Sequence, residues 1–105
     1  MQSIIQDTKE CYLCRLEAER RGYFGTLPGD GLHKHHIFFG PANRKLSEKY
    51  GLTVWLCYQH HEGNKGVHLH RPADLSLKGI AQREFEKTHS REEFRNIFGK
   101  SWLND

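Results

Sequence analysis

Three cysteines and eight histidines are the residues of this 105-residue chain best equipped for chemistry beyond packing. Cys11-Tyr12-Leu13-Cys14 is a C-x-x-C knuckle, and Cys57-Tyr58-Gln59-His60 is a C-x-x-H knuckle of the same spacing. Together they offer four nitrogen or sulfur donors, the number that a closed tetrahedral structural zinc site requires. An odd cysteine count without a secretion signal argues against a disulfide framework. A redox C-x-x-C would need a thioredoxin-like strand before it and a long helix after it, and that context is missing. The plainer alternative makes Cys57 a buried core residue at the end of an apolar strand.

Six of the eight histidines fall between His33 and His68. Imidazole is neutral and able to ligate near pH 7, so such enrichment points to metal or proton-transfer chemistry. Two adjacent pairs stand out, His35-His36 and His60-His61. On a strand, neighbouring side chains point to opposite faces, so His35 and His36 are expected to do different jobs. The zinc knuckle claims His60 and leaves His61 free. His35, His36, His61 and His68 then form an unclaimed set. Phosphodiester hydrolysis needs what such a set can supply: ligands for a divalent ion and a neutral imidazole to activate water. The plainer reading gives these histidines only hydrogen-bonding roles, and His33, His70 and His89 are read that way. Spacing alone leaves open which of His35 and His36 is ligand and which is base.

These side chains need elements to position them. The first knuckle runs into a short charged helix with Glu17 and Arg21 one turn apart, ended by Gly22. Leu27 to Gly31 is a turn, and Leu32–Phe39 reads as a strand ended by Gly40-Pro41. A helix over Asn43–Tyr50 is capped by Asn43 and carries Arg44, Lys45 and Lys49. Leu52–Cys57 is the clearest strand, with Leu52, Val54 and Leu56 on one face. Gly63-Asn64-Lys65-Gly66 is a loop. A helix over about 74–88 carries Leu77, Ile80, Ala81 and Phe85 on one stripe. A last helix at 91–98 opens with the capping box Ser90–Glu93, packs Phe94, Ile97 and Phe98, and stops at Gly99. The expected class is α+β: a two-stranded antiparallel ribbon backed by helices, in one domain over residues 1–105, with residues 1–8 a loose lead-in.

The composition sets limits on this reading. The hydrophobic fraction is 36%, so the core is thin and a metal that couples binding to folding would help hold it. Charged residues at 28% and aromatics at 11% do not describe a disordered chain. No apolar run approaches a membrane span and the N-terminus lacks a signal peptide's apolar region, so a cytoplasmic protein without membrane partners is expected. A net charge of +3 permits nucleic-acid binding without requiring it.

CYLC, LHKHHIFFG, NRKLSEKYGL, VWLCYQHH and GNKGVH, in this order, resemble the HNH endonucleases of the ββα-metal superfamily. The nearest likeness is to small phage-encoded members related to recombination-enhancement nucleases. The resemblance spans Cys11 to Leu103. It implies a metal-dependent endonuclease that hydrolyses DNA phosphodiester bonds, with a structural zinc and one catalytic divalent metal (Mg²⁺, Mn²⁺, Ni²⁺ or Zn²⁺). By position, Cys11, Cys14 and Cys57 match the family's zinc cysteines, and His60 stands at the fourth. His35 matches a metal-ligating Asp, His36 the general base and His61 the closing metal ligand. His68 is a further candidate ligand. The middle Asn of the family corresponds best to Asn43, which would orient the base. Arg44, Lys45, Lys49 and Lys65 would line the DNA groove. The expected partners are DNA and recombination or packaging proteins, in a phage-infected or lysogenic cell. A homodimer would suit cutting both strands. The competing reading is a non-enzymatic zinc-knuckle module that binds nucleic acid or accompanies recombination.

Overall fold

In a computed structural model that describes residues 2–103, helix α1 (Tyr12–Arg20) begins where Cys11 leaves the extended conformation. The Cys11 thiol accepts from the Cys14 backbone N–H at 3.4 Å, so the first knuckle doubles as a helix cap. Strand β1 (His33–His36) pairs antiparallel with β2 (Thr53–Leu56), with His35 opposite Val54 and His36 opposite Thr53. Between them lies α2 (Pro41–Tyr50), and after β2 comes the single turn α3 (Tyr58–His61). Two longer helices, α4 (Arg71–Phe85) and α5 (Arg91–Phe98), complete the order. The architecture is α+β, as the sequence predicts. No helix among the described residues is long and apolar enough to cross a membrane.

Several boundaries differ from the sequence reading. Helix α4 runs over Arg71–Phe85 rather than about 74–88, with Pro72 in its first turn. Helix α2 starts at Pro41 rather than Asn43, because proline's fixed φ suits the first helical position and Gly40 adopts a φ of 97° in front of it. Asn43 is therefore a first-turn residue and not the cap. Both strands are shorter than expected, His33–His36 and Thr53–Leu56; beyond them the Ile37 N–H still donates to the Leu52 carbonyl (3.1 Å), and Ile37 and Phe38 are buried in the core. Residues 2–6 are not loose. The Ile4 N–H donates to the Gly51 carbonyl (2.9 Å), Ser3 Oγ to the Thr53 carbonyl (2.5 Å) and the Trp55 N–H to Gln6 Oε1 (2.8 Å). This segment satisfies backbone groups on the outer edge of β2 that would otherwise stay unpaired. It passes so close to Gly51 (φ 72°) that a Cβ there would lie 2.5 Å from the Gln2 carbonyl oxygen.

The core is aromatic. Phe38 meets Phe94 and Phe98 at ring-centroid distances of 5.2 and 4.8 Å, and Phe85 packs on Phe94 at 5.4 Å. Buried Ser47 ties α2 to this centre by donating to the Phe38 carbonyl (2.7 Å) and accepting from the Phe38 N–H (3.0 Å). Phe85, Phe94 and Phe98 are buried as expected. Ile80 is only half-buried, because it borders a surface groove shared with Trp102 and Leu103. The capping box at Ser90 forms in both directions, at 3.0 Å each way.

Candidate metal centres and the histidine cavity

Two knuckles 43 residues apart in sequence meet because α1 leans on β2 and α3 follows β2 directly. The ligand atoms of Cys11, Cys14, Cys57 and His60 all lie within 4.8 Å of one another. His60 Nδ1 is 3.4 Å from Cys11 Sγ, 3.4 Å from Cys14 Sγ and 3.2 Å from Cys57 Sγ, and the Cys14 and Cys57 sulfurs are 3.8 Å apart. A tetrahedral zinc with bonds of about 2.3 Å to sulfur and about 2.0 Å to nitrogen sets donor separations of about 3.5–3.8 Å. The cluster fits that ion closely. Burial pushes the Cys11 and Cys14 thiols above their ordinary range, as expected of sulfurs shut away from water. Cys57 is also penalised by burial. Hydrogen bonds from the His60 backbone and side chain, then from Cys11 and Cys14, outweigh that penalty and bring it down to about 7. On the far side of the ring, His60 Nε2 lies 3.1 Å from Glu17 Oε1. That carboxylate holds the proton on Nε2 and leaves Nδ1 free to ligate, a supporting contact of the kind metal-bound histidines use. Among the described residues Glu17 thus contacts the Cys₃His cluster through His60, and no ion pair joins it to Arg21.

A second cluster gathers one histidine each from β1, α3 and the loop that follows α3. His35, His61 and His68 bring their donor nitrogens within 4.8 Å of one another. His61 Nε2 and His68 Nε2 are 3.3 Å apart, which matches the separation of about 3.3–3.4 Å between two nitrogens on one tetrahedral ion. His35 is 2% exposed and its Nε2 has no hydrogen-bond partner. A buried polar atom without a partner costs about 1–3 kcal/mol and calls for an explanation, and an ion held by the three rings supplies one. Burial first, then the neighbouring His61 and His68, press His35 down to about 3, so its ring is neutral and competent to ligate at any ordinary pH. The same causes, burial and His68, lower His61. His61 Nδ1 faces His33 Nδ1 at 2.9 Å. With Nε2 as the ligand atom, His61 carries its proton on Nδ1 and donates it to His33.

His68 reaches this cluster through its loop. The Gly66 N–H donates to the Gly63 carbonyl (2.8 Å) and the Val67 N–H to the His60 carbonyl (2.9 Å), folding the chain back over α3. Gly66 is essential to this path, since a Cβ there would come within 2.8 Å of the His61 carbonyl carbon.

The three histidines open on a cavity of about 200 Å³ that Lys34, His36, Phe39 and Arg44 also line. His35 and His36 both reach it although they alternate along β1. His36 is the strand's last residue, so the cavity borders the end of β1, where both side chains line it. His36 Nε2 lies 3.0 Å from Glu48 Oε1, and no hydrogen bond among the described residues joins His36 to Asn43. The reason is geometric: Asn43 sits in the first turn of α2, while Glu48 is more than one turn further on, beside β1.

The four basic side chains expected to line one groove are dispersed. Arg44 borders the histidine cavity. Lys45 and Lys49 are exposed on α2, with Lys49 over the Tyr50 ring at 5.3 Å. Lys65 borders a different hollow beside His60, on the side of the zinc cluster. Glu17, His33 and Glu48 were not identified from the sequence as site residues. Each acts across 12 to 43 residues of chain, and no local pattern signals that. No protein-family model, no curated protein and no solved structure matches the chain.

Proposed function

We propose that the protein is a metal-dependent endonuclease of the HNH type that hydrolyses DNA phosphodiester bonds. The observation that carries this reading is the single cavity in which three convergent imidazoles, a further histidine and an arginine face one small volume. A divalent ion bound by His35, His61 and His68 would stabilise charge on the scissile phosphate and on the leaving oxygen. An all-imidazole set favours borderline ions such as Zn²⁺ or Ni²⁺ over Mg²⁺, which prefers oxygen.

The chain's own residues supply the rest. His36 takes the proton of the attacking water, and Arg44 holds a non-bridging phosphate oxygen by a charge-assisted hydrogen bond. Neutral His35 adds no positive charge of its own. The zinc cluster plays no chemical part: it fixes α1 against β2 and α3, and so fixes His61, the residue after His60. Phage origin and recombination or packaging partners rest on the resemblance alone.

The test is nicking of supercoiled plasmid by the zinc-loaded protein with Mg²⁺, Mn²⁺, Ni²⁺ or Zn²⁺ supplied in turn, beside the His36→Ala and His61→Ala variants. Cleavage that needs a divalent ion and both histidines supports the reading. DNA binding without cleavage under every ion supports the zinc-knuckle module, which needs only the Cys₃His cluster.

A further inference from the structure

Behind the cavity-lining His36 stands a side chain that the proposed reaction does not yet include. Glu48 projects from α2 towards the end of β1, with Oε1 3.0 Å from His36 Nε2. Lys34, two residues before His36 on β1, anchors the same carboxylate: its Nζ is 2.9 Å from both Glu48 oxygens. The arrangement runs from Lys34 through Glu48 to His36, across a strand and a helix. We propose that Glu48 is the positioning residue for His36, fixing its ring as the Nε2–H tautomer so that Nδ1 carries the lone pair that accepts the proton.

The chemistry of the pair supports one direction only. An ionised carboxylate has no proton to give, so the nitrogen facing it must be the donor. The Lys34 hydrogen bond, followed by that of His36, brings Glu48 down to about 2, so it is ionised and an acceptor near neutral pH. In neutral imidazole the other nitrogen, Nδ1, is then the base. Lys34 adds a second constraint, because a long carboxylate side chain that is 41% exposed would otherwise sample several rotamers. Glu48 touches neither substrate nor metal in this scheme and acts only through His36.

This inference rests on the nuclease reading for its catalytic meaning, but its structural content is read without activity. Long-range ¹⁵N–¹H spectra of the zinc-loaded full chain, with His36→Ala used to assign the ring, report the tautomer directly. The wild-type ring is expected to be protonated on Nε2. Glu48→Ala is expected to give a mixture of tautomers, with the melting temperature and metal content close to wild type. In the nicking assay Glu48→Ala is expected to lower kcat by about 10–100-fold, the usual effect of losing an orienting partner, with KM nearly unchanged. A wild-type His36 protonated on Nδ1 would overturn the proposal, as would a Glu48→Ala ring that keeps the Nε2–H form. An active enzyme whose kcat ignores Glu48→Ala would overturn the catalytic part. A wild-type protein that cleaves nothing refutes the nuclease reading instead, while the tautomer still decides whether Glu48 orients the ring.

Discussion

On the reading that the Cys₃His cluster holds a structural zinc, removing the ion should unfold this protein, and the size of the effect follows from what the cluster joins. Cys11 caps α1, Cys57 precedes α3 at the end of β2, and His60 lies within α3, so one ion would tie three elements together. A structural zinc contributes about 10–16 kcal/mol of apparent binding free energy at neutral pH. A chain of 105 residues at about 0.05–0.15 kcal/mol per residue has a total stability of about 5–15 kcal/mol. The two figures are of the same size, so the metal-free chain sits near or below the point of unfolding. Chelator treatment should therefore abolish the cooperative thermal transition seen by circular dichroism and tryptophan fluorescence. Cys57→Ser should do the same without chelator, because a serine hydroxyl keeps its proton near pH 7 where the Cys57 thiol, at about 7, gives its proton up. His60→Cys is the informative control: a Cys₄ set still binds zinc, so this variant should fold, losing only the Glu17 contact. For a domain this size 1 kcal/mol moves Tm by about 4–8 °C. A chelated protein that melts within about 4 °C of the zinc-loaded one would refute the reasoning, since the ion would then contribute less than about 1 kcal/mol.

Other outcomes follow from the same geometry. On the nuclease reading, His61→Ala should lose the proposed second metal and the cleavage activity together, whereas His36→Ala should keep the metal and cut turnover about 10²–10⁴-fold; metal analysis beside the nicking assay separates the two. Phe94→Ala should cost about 3–5 kcal/mol in urea unfolding, because Phe94 is fully buried against Phe38, Phe85 and Phe98. Glu86 accepts from Arg91 at 2.9 and 3.1 Å, and that pairing holds its carboxyl below the ordinary 4.5. A carboxylate with a depressed folded pKa stabilises above its unfolded pKa and loses that contribution as pH falls through the folded value. Glu86→Gln should therefore be less stable than wild type at pH 7, with the gap in urea midpoints narrowing as pH falls below 4.5.

The sequence by itself determined what depends on local spacing. Equal C-x-x-C and C-x-x-H spacings offer two donors from each knuckle, so the four residues of the candidate metal cluster could be written down before any fold was known. Proline and glycine punctuation, period-2 alternation in Leu52–Cys57 and the Ser90–Glu93 capping box fixed the order and type of the main elements, because each is a short-range backbone property. The class, α+β with one antiparallel ribbon, followed from two strands that a helix of ten residues separates.

Only the tertiary structure decided the rest. Whether His35 and His36 share a cavity depends on where β1 ends, and alternation along a strand does not carry that fact. The partner of His36 is Glu48 and not Asn43 because Pro41 starts α2 earlier and sets which of its turns lies beside β1. Glu17 serves His60, and His33 serves His61, across 43 and 28 residues of chain. Lys65 and Arg44 read as one basic groove but border separate hollows, since the Gly63–Gly66 turns carry Lys65 to the zinc side. The lead-in residues 2–6 are held because the outer edge of β2 leaves backbone groups to satisfy, a demand set by the sheet and not by the segment's own composition.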